Sequence, residues 1–285
     1  MEREILSGSF TETLKRARNL IRDNRIGLLI IVIGIFLRLL FIWYTGYADE
    51  DAYITFRFAR NIASGEGFVY NPGQPIYGTT TPLLTFLLAA WIRLQGDPLI
   101  GARFIGLVAT TAYLFFSARA VKALGGTRTQ ALFAIGILAL SSRLIRHDIS
   151  GMEMPILLAA MTASLDAGVR KNPYLAGLLG GVCLWVRVDA LTWVGLLAIV
   201  AWVEDPRDAL RLAGISVLTY TPWLLYATVT FGTPVPHTIV AKWYAYTLPT
   251  HPLMTDSVPL LESLRSISPS AVSIMTWLTP FEIHR

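Results

Sequence analysis

The sequence predicts an all-α polytopic membrane protein with about seven or eight membrane helices. The 285-residue chain is 54% hydrophobic and 15% charged, whereas soluble domains carry about 25% charged residues. Its mean hydropathy is +0.53, and apolar runs alternate with short polar breaks along its length. The lipid bilayer is therefore a partner of the chain. The net charge of +5 does not indicate nucleic-acid binding, because many of the cations precede the first apolar run.

Residues 1–25 are predicted to be a cytoplasmic amphipathic segment. Leu14, Ala17, Leu20 and Ile21 recur on one side of a helix among Lys and Arg side chains. A basic helix with one apolar side is typical of a segment lying on an anionic membrane surface.

The transmembrane module is predicted over residues 26–231, and its first span over 26–44. That run is close to the roughly 20 residues needed to cross a bilayer. Arg38 interrupts it. An arginine at membrane depth faces the bundle interior or reaches the interface. We therefore expect Arg38 either to pair with the acidic residues that follow or to contact a lipid headgroup.

Further apolar runs continue the module to its end. They cover 82–91, 100–118, 131–140, 154–165, 174–186, 191–203 and 212–231. Cations cluster in the loops near residues 119–128, 170–171 and 207–211, which predicts that these loops and the N-terminus are cytoplasmic. The run at 82–94 is either re-entrant or a full crossing, and a full crossing would exchange the sides of the later loops.

An acidic stretch, residues 49–61, follows the first span inside a predicted first outer loop, 46–80. Asp49, Glu50 and Asp51 are consecutive, and on a helix Glu50, Ile54 and Arg57 share one face. Acids at a helix N-terminus act either as a stabilising cap or as a polar platform for chemistry. The sequence leaves both open.

Three later polar breaks carry candidate site residues. Glu153 either caps the next helix or faces a cavity. Arg187 and Asp189 either pair with each other or line a cavity. His237 and Lys242 belong to a proline-rich segment, 232–285, on the predicted outer side, and the alternative there is a stiffened loop with an interfacial lysine. No metal-binding His pair or nucleotide-binding glycine motif occurs.

These stretches resemble a known family when taken in order. They read EDAYITFRFARNIASGEGFVYNPG at 50–73, SGMEMP at 150–155, RVDA at 187–190 and GTPVPHTIVAK at 232–242. The pattern resembles the GT-C glycosyltransferases, and more narrowly the bacterial group that includes the mycobacterial arabinofuranosyltransferases of the AftB type. The chain departs from that pattern at Glu50, Val188, Ala190 and His237, where the family has Asp, Pro, Gly and Asn. It is also shorter than most members, so we expect a minimal or truncated module.

The resemblance implies a GT-C-type helix bundle in a bacterial or archaeal cell membrane, with its active site on the outer face. It implies transfer of a sugar from a polyprenyl-phosphate carrier to a hydroxyl of a glycan, lipid or protein acceptor. Asp51 is the first candidate for general base, followed by Glu50, with Asp49 as a supporting charge. The candidate phosphate-binding residues are Lys242, His237 and Arg187.

Four further residues are expected to position the substrate: Glu153, Arg57, Asp189 and Tyr53. Some members of the family use a divalent metal, Mg or Mn, which Asp51 and Glu153 would hold if present. The alternative functions are a non-catalytic lipid-carrier transporter, an assembly subunit of the same fold and an inactive fragment.

Overall fold

A computed structural model describes residues 25–239, and within that range the chain is helical, without a β-strand. The helices are α1 (Arg25–Thr45), α2 (Glu50–Ala63), α3 (Pro82–Arg93), α4 (Pro98–Ala123), α5 (Arg128–Leu140), α6 (Ser142–Ile149), α7 (Met154–Val169), α8 (Pro173–Val186), α9 (Leu191–Glu204) and α10 (Pro206–Phe231). This confirms the predicted all-α class. The predicted amphipathic segment and most of the 232–285 segment, Lys242 included, lie outside the described residues.

Three helices are long and apolar enough to cross a membrane, namely α1, α4 and α10. A fourth crossing is formed if α6 and α7, which meet at an angle of 114°, are one broken span. The structure therefore has the character of a helical membrane protein, but the predicted count of about seven or eight spans is not confirmed. Several apolar runs form short helices. The 12 residues of α3 extend only about 18 Å, against a hydrocarbon core of about 30 Å.

Several helices begin where short polar side chains accept hydrogen bonds from the first turn. Asp97 accepts from the Ile100 N–H at 3.0 Å at the start of α4. Thr127 and Gln130 form a capping box at the start of α5. Proline follows the cap of α4 and of α8, a position where its missing N–H costs no helical hydrogen bond.

Glycines on α8 allow it to approach α10 closely. A Cβ on Gly177 would lie 2.6 Å from the Leu212 carbonyl oxygen, and one on Gly181 would lie 2.4 Å from the Thr219 Cβ. Such contacts leave no room for a larger side chain. Small residues at helix interfaces have this role in membrane proteins.

The α1 helix lies at the edge of the bundle. Only Gly34 and Arg38 of this helix are buried, and its large apolar side chains are exposed, as expected for a lipid-facing surface. The Arg38 Nε donates to the Asp148 Oδ2 at 2.7 Å, and both side chains are fully buried. The other Arg38 nitrogens donate to Gly34 O, Ala139 O and the Tyr113 hydroxyl.

Both expected roles of Arg38 are therefore wrong. It pairs neither with the acidic stretch nor with a headgroup, because Asp148 meets it inside the bundle.

An aromatic cluster fixes the first loop against α10. Tyr77 stacks on Phe231 with the ring centroids 5.1 Å apart, and Phe68 packs against Trp223 at 5.0 Å. The Trp223 Nε1–H donates to the Tyr77 hydroxyl at 2.6 Å. Burial raises the pKa of the Tyr77 phenol above its ordinary value. The loop between α2 and α3 is thus anchored by its own buried aromatic residues.

Candidate functional site

Three of the four polar stretches of the sequence are joined to one another by direct contacts, and the fourth contacts the loop after α2. The Asp49 N–H donates to the Ser150 carbonyl at 2.9 Å. Glu153 contacts Arg187 at 2.7 Å. His237 is bonded to the loop that follows α2. We call the region formed by the first three stretches the polar face and define it by residues 46–51, 146–153 and 187–189.

The acidic stretch forms the start of α2. Asp49 is the N-cap residue, and its Oδ1 accepts from the Asp51 N–H at 3.3 Å. Its Oδ2 accepts from the Tyr47 hydroxyl at 3.2 Å. Asp49 therefore has the capping role, whereas Glu50 and Asp51 are exposed in the first turn. Their negative charge is favoured at this helix end.

Two arginines that the sequence did not single out support this acidic turn. Arg103 of α4 donates to the carbonyl oxygens of Gly46 and Tyr47, both at 2.8 Å. Arg146 of α6 lies over the Tyr47 ring at 4.9 Å and donates to the Tyr47 hydroxyl at 3.1 Å. The only signal in the sequence was their position beside polar breaks.

The turn between α6 and α7 packs directly against α2. Gly151 has φ +86°, a left-handed conformation that favours glycine. A Cβ there would lie 3.2 Å from the Phe56 Cζ and 3.3 Å from the Ala52 Cβ. This close approach brings Glu153 to the same end of the molecule as the acidic turn.

Glu153, Arg187 and Asp189 form a second charged group. The Arg187 Nη1 donates to the Glu153 Oε1 at 2.7 Å. Its Nε and Nη2 donate to the Asp189 carboxylate at 2.7 to 3.2 Å. These hydrogen bonds raise the pKa of Arg187, chiefly through Asp189, and lower that of Asp189, chiefly through Arg187. Arg187 and Asp189 do pair with each other, and the same guanidinium also holds Glu153.

The Glu153 side chain is 1% exposed. It makes no side-chain cap on α7, although Glu153 stands at the cap position. The predicted alternative of a helix cap is therefore not what this carboxylate does. Within residues 25–239, its Oε2 atom has no hydrogen-bond partner.

The remaining candidates lie around the first loop. The Arg57 Nε donates to Tyr70 O at 2.9 Å and its Nη2 donates to Asn71 Oδ1 at 2.7 Å, so this guanidinium binds the loop. Tyr53 is exposed and meets the Phe56 ring edge-on, with centroids 5.4 Å apart.

His237 binds the first loop through two hydrogen bonds. The backbone N–H of His237 donates to the Tyr77 carbonyl oxygen at 3.0 Å, and the imidazole Nδ1 accepts from the Tyr77 backbone N–H at 3.1 Å. In the second bond the imidazole Nδ1 is the acceptor. His237 therefore fastens the segment after α10 to the loop after α2.

The residues described do not fit a metal site. Between Arg25 and Ile239, no three His, Cys, Asp or Glu side chains are grouped as ligands would be. The predicted pair of metal ligands for Mg or Mn, Asp51 and Glu153, therefore has no third carboxylate, histidine or cysteine grouped with it among these residues.

No protein-family model matches this chain. One curated protein similar to it is the digeranylgeranylglyceryl phosphate synthase of Methanosarcina mazei. It is 36% identical over 107 residues, which are 37% of this chain and 36% of the relative. The matched region thus spans little more than a third of either protein.

This similarity contradicts the predicted function. The name of the relative describes a synthase that forms a glyceryl phosphate bearing two geranylgeranyl groups, and not an enzyme that transfers a sugar. The predicted glycosyltransferase activity is therefore wrong, and its sugar donor and glycan or protein acceptor have no support. The relative is an enzyme, so it does not support a transporter or assembly subunit either. The physical reason for the error is that exposed carboxylates suit several transfer reactions, and short motifs do not distinguish them.

Proposed function

We propose that this chain is a membrane-embedded transferase that acts on a phosphorylated prenyl lipid at the polar face. The observation that carries the proposal is the exposed pair Glu50 and Asp51 in the first turn of α2. They follow Asp49, which accepts from the same Tyr47 hydroxyl that Arg146 contacts. The partial similarity to digeranylgeranylglyceryl phosphate synthase supports a prenyl lipid phosphate as the substrate class.

The carboxylates suit the proton transfer that such a reaction needs. Attack by an acceptor hydroxyl forms a new C–O bond and breaks the bond between the transferred carbon and a phosphate oxygen. The hydroxyl proton passes to a carboxylate, and the electron pair of the broken bond leaves with the phosphate. Asp51 and Glu50 are the candidates, because Asp49 is already engaged by Tyr47 and by the backbone of its own helix.

The cation for the departing phosphate is proposed to be Arg146. Its side chain is exposed, and its contacts to Tyr47 use one nitrogen and the guanidinium plane. The other N–H groups can still donate to a phosphate oxygen. Arg187 is less suited, because its Nε, Nη1 and Nη2 atoms all donate to carboxylates.

The polar face is proposed to lie on the outer side of the membrane. Four cations lie at the opposite ends of the helices that carry Glu153 and Arg187, namely Arg119, Arg170, Lys171 and Arg211. Cations collect on the cytoplasmic side of membrane proteins. The N-terminus is then cytoplasmic, because α1 ends at the polar face.

The proposal is tested with purified protein in lipid nanodiscs. Geranylgeranyl diphosphate and a longer polyprenyl monophosphate are supplied in separate assays, each with a glyceryl phosphate lipid that has a free hydroxyl. Donor binding is measured by native mass spectrometry and product formation by liquid chromatography with mass spectrometry. We expect binding of a phosphorylated prenyl lipid, weakened by Arg146→Gln.

The matched control for Arg146→Gln is Arg211→Gln, at the opposite end of the bundle. Asp51→Asn should lower turnover by about 100-fold or more if Asp51 is the base, while donor binding persists. The absence of both binding and consumption for every phosphorylated prenyl lipid would overturn the proposal.

A further inference from the structure

The Glu153 carboxylate has one satisfied oxygen and one unsatisfied oxygen. Oε1 accepts from Arg187 at 2.7 Å, whereas Oε2 is buried without a partner among residues 25–239. Leaving a buried polar atom unpaired is unfavourable, and more so for a charged group. An atom held in this state by the fold is a candidate contact for a ligand.

The charge of the surrounding group restricts what that ligand can be. Glu153 and Asp189 supply two carboxylates, and Arg187 supplies one guanidinium between them. With both acids ionised the group has a net negative charge. The Nε, Nη1 and Nη2 atoms of Arg187 each donate a hydrogen bond to one of its two carboxylates. A phosphate would be repelled here. A hydroxyl can donate one hydrogen bond to Oε2 and brings no charge with it.

The group also reaches the surface. The Asp189 side chain is 62% exposed, that of Arg187 is 32% exposed and that of Glu153 is 1% exposed. Exposure therefore falls from Asp189 through Arg187 to Glu153, whose Oε2 is buried. Gly151 packs the same turn against α2, the helix whose first turn holds Asp51.

We propose that the Glu153 Oε2 binds the hydroxyl of an uncharged alcohol, namely the headgroup of a lipid-borne acceptor of the glycerol type. The identification of this alcohol as an acceptor rests on the proposed function. Binding of its hydroxyl to Glu153 can be measured without turnover. Glu153 is then a substrate-binding residue, and Arg187 positions its carboxylate.

The test uses 1-O-hexadecylglycerol and its dimethyl ether as probes. Each is titrated into the purified protein in detergent, and the thermal unfolding midpoint is followed as a measure of binding. The two probes share the alkyl chain, so a difference between them reports the hydroxyl groups. The variants are Glu153→Gln, which keeps the size of the side chain, and Glu204→Gln. Glu204 pairs with Lys171 beyond the far end of α7.

We expect the wild-type protein to bind the free glycerol ether more tightly than its dimethyl ether. In Glu153→Gln the amide nitrogen replaces one acceptor oxygen, so the Kd for the free glycerol ether should rise about 10- to 100-fold. Glu204→Gln should match the wild type. An unchanged Kd in Glu153→Gln overturns the inference and leaves Glu153 with a structural role.

The wild-type protein alone also tests the inference, in case Glu153→Gln does not fold. Equal stabilisation by the two probes would show that no hydroxyl is recognised and would overturn it. Failure of the donor assay with a retained preference for the free hydroxyl would instead reject only the proposed function.

Discussion

Arg38 and Asp148 are 110 residues apart in the chain and form an ion pair of 2.7 Å with both side chains fully buried. The pair fastens α1 to α6. Asp148 is two residues before Ser150, whose carbonyl holds the Asp49 N–H. The pair therefore supports the acidic turn from inside the bundle.

Replacing Arg38 alone should strongly destabilise the protein. Arg38→Met leaves the Asp148 carboxylate buried without its cation, a change that costs about 3–5 kcal/mol. The double variant Arg38→Met with Asp148→Leu removes both charges and should recover part of that loss. The measurement is the unfolding midpoint in detergent, followed by circular dichroism during titration with dodecyl sulfate.

The control for the Arg38 variant is Arg211→Met, which breaks an exposed pair with Asp208. Exposed pairs contribute little, so its midpoint should stay near that of the wild type. Equal midpoints for Arg38→Met and the double variant would show that the buried Asp148 does not need its partner.

Two glycines should respond in opposite directions to alanine. At Gly151, φ is +86° and a Cβ would press on Phe56 and Ala52, so Gly151→Ala should destabilise the protein by about 1–3 kcal/mol. At Gly195, inside α9, no heavy atom lies within 4 Å of an added Cβ. Gly195→Ala should therefore stabilise the helix by about 0.5–1 kcal/mol. Thermal unfolding of both variants in one detergent checks the signs, and a Gly151→Ala midpoint at or above wild type contradicts the close packing.

The link between His237 and Tyr77 should be visible in hydrogen exchange. The Tyr77 N–H donates to the His237 Nδ1. His237→Leu removes that acceptor, so the protection of the Tyr77 amide should fall by about tenfold. His237→Asn retains an acceptor oxygen at similar reach and should retain most of the protection. The readout is exchange mass spectrometry on peptides that cover Tyr77, and an unaltered rate in His237→Leu would count against the link.

The ionised Asp189 carboxylate should add a small amount to the free energy of unfolding, and this contribution should be lost in acid. Arg187 lowers its pKa below the ordinary value of 3.8. A carboxyl with a depressed folded-state pKa stabilises the protein above its unfolded pKa, and this contribution is lost as the pH falls through the folded-state value. The stability difference between wild type and Asp189→Asn should therefore be constant down to about pH 4 and shrink below it.

The Asp189 effect should also weaken in high salt, because the side chain is 62% exposed. Unfolding midpoints across the acid range, at two ionic strengths, measure it. If the stability difference between wild type and Asp189→Asn increases as the pH falls, the ion pair does not stabilise the folded protein in this way.

Local pattern was sufficient to predict α1 and the helical acidic stretch. The apolar run at 26–44 and the capping acid Asp49 carry their signals within a few residues, and the helices observed are Arg25–Thr45 and Glu50–Ala63. The number of spans was not predictable in the same way. Breaks at Ser141 and Arg187 divide apolar sequence into helices of 13 and 14 residues, and composition alone does not reveal whether such pieces cross.

The contacts that build the site join residues far apart in the sequence, and the sequence alone did not predict them. Nothing local indicates that Arg38 meets Asp148, or that Arg103 and Arg146 hold the turn before α2. The motifs were correctly chosen as polar breaks, yet they did not identify the reaction. His237 illustrates how little the exact residue type matters at some positions, because histidine Nδ1 and an asparagine oxygen can accept the same hydrogen bond.

The contact between Tyr77 and His237 has a consequence for the order in which the protein is made. The two residues are 160 positions apart, so the partner of the first loop is synthesised only after α10. Until then the loop has its aromatic contacts with α10 but lacks the two hydrogen bonds to His237. The link between Tyr77 and His237 is therefore formed late in biogenesis, and in a chain stalled before residue 237 the segment around Tyr77 should be cleaved faster by proteases.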